Sequence, residues 1–371
     1  MAMLQVDIYE QILIRLGVED LICCKSVCKS WHFLISSNRF IKDHLKHSYN
    51  DDCNNTQIEH RRVAITGLSA SLFQLEIGSW YFSFRHRFHL LGSSNGLVCI
   101  SIHNAQLFVV NPLTREVRKL RKHNLCNKLR AECEGKPVLC FGFGYDSSID
   151  DYKVVVGFMK SKYVTCFHVL TLKSNAWTLV GDVNYCYLRS VGVLCNGALH
   201  WVMKDPNENK VILSFDLSRE KFKQIPQPDD DMVYQSYIRA PCSIISLGII
   251  DECLCIFDQY LLPQKIWKMN HYNVKQSWTS VTHDWQMKND FVHCLSGLLK
   301  HDVLCDKSLC HEIQLCRTQD IIGAPIYVQS LVSPRIQSHA KQKRKKQPMN
   351  NKRTVKILKG DITVHRPTLE V

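Results

Sequence analysis

The sequence predicts an α+β multidomain chain: a small N-terminal three-helix module, an all-β propeller-like domain, and a disordered basic C-terminal tail. Three observations predict it. Apolar residues recur at helical spacing over the first fifty positions. From Arg61 onward, short apolar runs alternate with turn residues, the pattern of strands joined by hairpins. From Pro334 to Val371, eleven Lys/Arg stand against two acidic residues, so this stretch holds +9 of the formal +13 of a 371-residue chain.

The helical module comes first. Between Val6 and Leu16, Ile8, Ile12, Leu13 and Leu16 fall on one face, and Gly17 ends the run. Asp20 reads as the N-cap of a second helix that places Leu21, Cys24, Cys28 and Trp31 on one face. Leu34 and Ile35 extend that surface, and Phe40, Ile41 and Leu45 form a short third segment. The module is assigned to residues 1–48, with a polar linker at 49–60. So few residues bury little apolar area on their own, so size and pattern predict that the module completes its core on another protein.

The β domain is assigned to residues 61–333. Leu107–Val110 turns at Asn111-Pro112-Leu113-Thr114 into Glu116–Leu120, and Cys166–Leu172 turns at Lys173-Ser174-Asn175 into Trp177–Val180. Val211–Leu217 and Phe222–Ile225, then Lys265–Met269 and Trp278–Val281, repeat the arrangement, with a weaker copy near Arg317. Further strand pairs open at Gly96, Phe141, Gly197 and Leu247. A repeat of ~40–50 residues with four short strands is the signature of a propeller blade, and about five or six blades would fit. The spacing is loose enough that a β-sandwich also satisfies it. Residues 334–371, basic and poor in aromatics, predict disorder.

Composition excludes several classes. The apolar run from Cys242 to Phe257 is broken by Asp251 and Glu252, and no run reaches the ~18 residues of a membrane span. Asp7 and Glu10 argue against a secretory leader. Cytoplasm or nucleus is the expected location. Eighteen cysteines sit mostly inside strand-like apolar runs such as Val98-Cys99-Ile100, where they act as small hydrophobes. No C-x-x-C occurs, and Cys305, Cys310, His311 and Cys316 are spaced more loosely than zinc ligands, so no metal or cofactor is expected. The basic run Lys341, Lys343, Arg344, Lys345 and Lys346 has the composition of a nuclear-import signal, with a merely solubilising tail as the plain alternative. No aromatics interleave it, so stacking on nucleic acid has no platform and nucleic-acid binding is not expected.

Two resemblances then connect these elements. Asp7-Ile8, Ile12-Leu13-Ile14-Arg15-Leu16 and Val27-Cys28-Lys29-Ser30-Trp31, followed by Phe40-Ile41-Lys42-Asp43-His44-Leu45, resemble the F-box of plant F-box proteins. An ordered series downstream is similar to the F-box-associated interaction domain. It includes Gly92-Ser93-Ser94-Asn95-Gly96-Leu97, Asn111-Pro112-Leu113-Thr114-Arg115, Phe143-Gly144-Tyr145-Asp146 and Asp150-Asp151-Tyr152-Lys153-Val154-Val155. The series continues through Asn196-Gly197-Ala198-Leu199-His200-Trp201, Ser214-Phe215-Asp216-Leu217 and Ile266-Trp267-Lys268-Met269 to Tyr327-Val328-Gln329-Ser330-Leu331-Val332-Ser333.

The resemblance implies a non-enzymatic substrate-recognition subunit of an SCF (Skp–cullin–F-box) ubiquitin ligase. Its F-box would bind a Skp-type adaptor, and through it a cullin, while the β domain holds an unknown target protein. Leu4, Ile8, Leu13, Leu16, Leu21, Val27, Cys28 and Trp31 are then the candidate adaptor-binding residues. The sequence departs from the F-box at two family prolines, here Gln5 and Gly17, and at Gln11 in place of glutamate. Proline pre-sets φ at a helix start, so its loss is expected to loosen the module. The alternative is accordingly an F-box-defective, ligase-independent nuclear interaction protein using the β domain and tail.

Other constellations are read as structural. Phe141-Gly142-Phe143-Gly144 lacks the third glycine of a dinucleotide fingerprint and reads as tightening a strand turn. Asp150-Asp151, Asp229-Asp230-Asp231 and Asp251-Glu252 read as solvated turns. His168 and His200 read as satisfied core histidines.

Overall fold

The structure, a computed structural model, describes residues 2–51, 62–64, 88–102, 106–123, 139–187, 191–228, 245–250, 252–258, 265–282 and 326–335. The basic run at 341–346, the linker beyond Asp51, the acidic triplet at 229–231, the Cys305–Cys316 group and the copy near Arg317 lie outside the described residues.

Four helices open the chain: α1 (Ala2–Leu13), α2 (Val18–Cys24), α3 (Lys29–Ile35) and α4 (Asn38–Asp51). The run from Leu21 to Trp31, read as one helix, is two. Cys28 is extended (φ −157°, ψ 164°), and its Sγ accepts from the Trp31 N–H at 3.4 Å, capping α3. The N-cap of α2 is Gly17 rather than Asp20, which lies in the first turn. Helix α4 runs through Asp51, so the chain stays helical past residue 48. The Glu10 carboxylate accepts twice from Arg39 Nη2 (2.7 and 2.9 Å), tying α1 to α4. His44 Nε2 donates to the Leu16 carbonyl at 2.9 Å, holding the α1–α2 turn.

Gly17 has φ −63° and ψ 157°, the backbone that proline prefers, and α2 starts at once after it. The backbone at this position would therefore accept a proline. Gly17→Pro is expected to stabilise the protein by about 0.4–1 kcal/mol, by restricting the unfolded chain. A thermal melt checks this, and a lowered Tm would show that the N-terminal turn needs the freedom of glycine.

Nineteen strands follow among the described residues. Four antiparallel sheets each take their strands in chain order. The first holds β2 (Phe88–Ser94), β3 (Leu97–Ile102), β4 (Gln106–Asn111) and β5 (Glu116–Lys119). The second holds β6 (Leu139–Asp146), β7 (Asp151–Ser161), β8 (Val164–Thr171) and β9 (Ala176–Val183). In the third, β10 (Cys186–Tyr187) and β11 (Val193–Cys195) both pair with β12 (Ala198–Lys204), followed by β13 (Lys210–Asp216) and β14 (Lys221–Ile225). The fourth holds β15 (Ile245–Ile250), β16 (Cys253–Asp258), β17 (Lys265–Met269) and β18 (Trp278–Thr282). The ends of the β domain meet where β1 (Arg62–Ala64) pairs with β19 (Ile326–Val328).

The cores lie between sheets rather than within one. Leu97, Cys99 and Val109 of the first sheet pack against Phe143, Val154 and Val156 of the second. Val155, Phe167 and Val169 of the second meet Leu199, Trp201 and Met203 of the third, while Val202 and Ile212 of the third face Leu254, Ile256 and Trp267 of the fourth. Middle strands are thus buried on both faces. This explains why β12 reads as a near-continuous apolar run instead of an alternation, whereas the outer strand β14 is largely exposed. Successive four-stranded sheets packed face to face in chain order are the blades of a propeller, not the two layers of a sandwich.

The turns carry a repeat that residue types obscure. In each blade the first and third hairpins contain a non-glycine residue at positive φ: Asn95 and Arg115, Asp150 and Asn175, Asn196 and Glu220, Glu252 and Asn273. Asn-Gly at 95–96 and 196–197 supplies both left-handed positions of a tight hairpin (φ 51° and 78°; 48° and 71°). Gly142 and Gly144 correct the sequence reading, because they lie inside β6 rather than at a turn. A Cβ at Gly142 would meet Leu199 at 2.6 Å, and one at Gly144 would meet Leu194 and Leu217 at 2.7 Å. These glycines let neighbouring blades approach.

The helical module does not wait for a partner to close its core, which is a second correction. Leu13, Val18, Leu21, Ile35 and Phe40 pack with Leu331 from the far end of the β domain, and Leu113 of the β4–β5 turn lies against the same cluster.

Candidate functional site

The helical module offers an exposed apolar surface. Ile8 and Ile12, one turn apart on α1, are 52% and 55% exposed. Tyr9 between them is also exposed, and its ring lies 6.0 Å from the partly buried Trp31 of α3. Val27, in the α2–α3 turn, is 65% exposed, and Phe33 is 80% exposed. A folded chain keeps large apolar side chains in water at a cost, and a cluster of them marks an interaction surface.

The residues singled out from sequence divide between surface and core. Ile8, Val27 and Cys28 are exposed, and Trp31 lies partly buried at the rim of the module core. Leu13 and Leu21 are fully buried, and Leu16 is partly buried against the same cluster. The backbone of Leu4 is in α1, but its side chain is outside the described residues. Tyr9, Ile12 and Phe33 are exposed apolar residues that the sequence reading did not nominate. The i, i+4 spacing of Ile8 and Ile12 was the available signal for one of them.

The module sits over one end of the propeller. Lys42 of α4 pairs with Asp150 of the β6–β7 turn (2.7 Å), and the Tyr49 hydroxyl donates to Asn95 Oδ1 of the β2–β3 turn (3.1 Å). The antiparallel order places the ends of β5, β9 and β14, where the chain leaves one blade for the next, at the opposite end. The β7–β8 and β12–β13 hairpins lie there too, joined by Lys162, Lys204 and the Tyr163 hydroxyl, all on the Glu208 carboxylate.

At the module-facing end a buried ionic network joins two blades. Lys153 of β7 has a side chain only 4% exposed, and its three protons are all used. Nζ meets Asp146 Oδ2 (2.8 Å) and Glu220 Oε1 (2.7 Å) and donates to the Leu217 carbonyl (2.5 Å). Asp146 Oδ1 accepts from the Ser148 N–H (2.9 Å), the Ser148 hydroxyl (2.6 Å) and the Ser218 hydroxyl (2.8 Å). Burial alone would raise the Asp146 carboxyl. The hydrogen bonds from Lys153, Ser148 and Ser218 outweigh it and hold the group down at about 2.

Asp151 corrects another reading. It is 3% exposed, not solvated: its oxygens accept from the Tyr152 and Lys173 N–H groups (2.8 and 2.9 Å), while burial raises its carboxyl. His200 is fully buried, with Nδ1 3.2 Å from the Val193 carbonyl and Nε2 2.8 Å from the Tyr272 hydroxyl of the fourth blade. Burial pushes it down to about 4, so it stays neutral near pH 7. Among the described residues no group of three or more His, Cys, Asp or Glu is arranged to hold a metal ion. No described helix is long and apolar enough to cross a membrane. Burial drives the Cys99 and Cys140 thiols upward, as expected of structural cysteines.

The helical module, with its exposed apolar residues, is thus seated on one end of a propeller whose described blade connections gather at the other. Comparison with known proteins assigns both parts to families. Residues 65–333 match the F-box associated beta propeller domain, and residues 3–43 match the F-box domain. The chain belongs to the plant F-box proteins that carry this associated domain, whose general role is that of an SCF substrate receptor. It is 28% identical over 316 residues to the F-box protein CPR1 of Arabidopsis thaliana, covering 76% of this chain and 73% of that one. It is 26% identical over 297 residues to the F-box/kelch-repeat protein At3g23880 of the same plant, covering 75% and 78%.

Proposed function

We propose that the chain is a working substrate receptor of an SCF ubiquitin ligase: the F-box surface around Ile8, Ile12 and Val27 docks on a Skp-type adaptor, and the propeller end remote from it holds the target protein. The observation that supports this most directly is the exposure of the apolar side chains of Ile8, Ile12 and Val27 in a module that matches the F-box. It is joined by the proline-like backbone of Gly17, which stands where the family has a proline. In this reading the chain catalyses no bond change. It raises the local concentration of target lysines at a conjugating enzyme carried by other subunits.

The test is binding of purified Skp-type adaptor to the full chain. Ile8→Asp and Ile12→Asp are each expected to weaken binding by about ten- to a hundredfold, the loss that follows when ~1.5–3 kcal/mol of side-chain burial is removed. Both positions are exposed, so the fold should survive. Wild-type protein that is folded but does not bind the adaptor would overturn the proposal and leave the ligase-independent reading.

A further inference from the structure

One buried side chain of the propeller braces both of the leucines that it packs against the F-box core. Asn111, the last residue of β4, is fully buried, and its amide makes four hydrogen bonds. Oδ1 accepts from the Leu113 and Thr114 N–H groups (3.0 and 3.2 Å), which folds the β4–β5 turn and sets Leu113 in place. Nδ2 donates to the carbonyls of Ser330 (2.9 Å) and Val332 (2.8 Å), the two neighbours of Leu331. Among the described residues of the β domain, Leu113 and Leu331 pack with the helical core. Asn111 thus aims both of them.

The surroundings are built for this contact. The Ser330 hydroxyl donates to the Asn95 carbonyl (2.6 Å), and Tyr49 of α4 donates to the side chain of that same Asn95. Gly96 leaves the space: a Cβ there would lie 2.2 Å from Ser330 Oγ. Arg118 of β5 donates to the Pro334 carbonyl (3.2 Å) and extends the grip beyond Leu331. An ordinary surface contact between two domains would be polar and exposed, like Lys42–Asp150, and worth little. Here Leu331 enters the core of the helical module, Leu113 packs against it, and both are placed by a buried amide with every partner made.

We propose that Asn111 is a positioning residue that locks the F-box onto the first blade. The F-box is therefore not an autonomous docking element, and the direction of its apolar surface relative to the far end of the propeller is set by the segment 330–334. A ligase receptor with this lock presents its target at a fixed orientation, a consequence that rests on the proposed function. The lock itself does not.

The test uses the full-length chain and needs no adaptor, so its failure is separable from a failure of adaptor binding. Amide hydrogen exchange is followed in peptides of residues 13–40, with residues 198–225 of the third blade as internal reference. Asn111→Asp keeps the two acceptor contacts of the turn and turns two donations into repulsion between oxygens. It is expected to speed exchange in 13–40 by about tenfold or more, while the third blade keeps its protection. Leu331→Ala is expected to do the same with the Asn111 hydrogen bonds in place, and Leu331→Met, which conserves volume, to restore wild-type protection. Unchanged exchange in 13–40 in both variants would overturn the proposal. If Asn111→Asp also exposes the third blade, Leu331→Ala decides alone.

Discussion

Replacing Lys153 by Met is expected to destabilise the chain by about 3–5 kcal/mol, because it strands a buried carboxylate without its cation. Asp146 has no exposed side-chain surface, so it cannot turn to water for the lost charge. Glu220 can, since it is 40% exposed. The effect should therefore be traced to Asp146. Adding Asp146→Asn removes the stranded charge and keeps an oxygen for the Ser148 and Ser218 donors, so the double variant should recover a large part of the loss.

Urea unfolding of the wild type and the two variants measures this. The pH dependence gives a second reading with a definite sign. In the wild type the Asp146 pKa is depressed, so its contribution is present above the ordinary carboxylate range and is lost as pH falls toward 2. In Lys153→Met the carboxyl instead gains a proton readily. The gap between wild type and variant should narrow in acid. A gap that is constant with pH would mean that the loss came from packing.

The second large effect is expected at Trp201. Its side chain is 1% exposed between the second and third blades, and Nε1 donates to the Phe141 carbonyl at 2.9 Å. Phe167 packs on it at 5.5 Å between ring centroids, and Gly142 and Gly192 are the residues small enough to let it in. Trp201→Ala opens a cavity that two blades cannot collapse without breaking register, so about 3–5 kcal/mol should be lost. Trp201→Phe should cost less, while leaving the Phe141 carbonyl unpaired. A loss in Trp201→Ala under 1 kcal/mol in a thermal melt would show that this inter-blade seam is not a main support of the domain.

Much of the fold was legible because its determinants are local. The hairpins at 111–116, 171–176, 216–221 and 269–278 were readable from turn residues flanked by apolar strands, and the structure has strands on both sides of each. The helices showed in their spacing, but the break at Cys28 did not. Ser26, Val27 and Cys28 interrupt no apolar period, and the thiol of Cys28 acts as a cap that sequence statistics assign to Ser, Thr, Asp or Asn. Asp150 and Asp151 were read alike because they are adjacent and alike. One is an exposed partner of Lys42 and the other a buried acceptor of backbone N–H groups, and the left-handed turn residue Asp150 (φ 52°) stands just outside β7 while Asp151 begins it.

The candidate site divides the same way. Periodicity identified an apolar helical module, and the motif Val27-Cys28-Lys29-Ser30-Trp31 identified its family. Spacing reports that a helix has an apolar face but not what covers it. Leu13 and Leu21 are apolar because Leu331 and Leu113, distant in sequence, lie against their cluster. Ile8 and Ile12 are apolar with no such cover, as their exposure shows. The sequence by itself determined the helical character of the N-terminal module though not the break at Cys28, the hairpins, the order of the blades and the family, since each rests on residues near one another in the chain. Tertiary structure alone decided which apolar residues are core and which are surface, that Asn111 joins two domains, and that Lys153 is a buried ion. Those depend on contacts between residues many positions apart, brought together when blades pack on one another and, for Asn111, when the ends of the β domain meet.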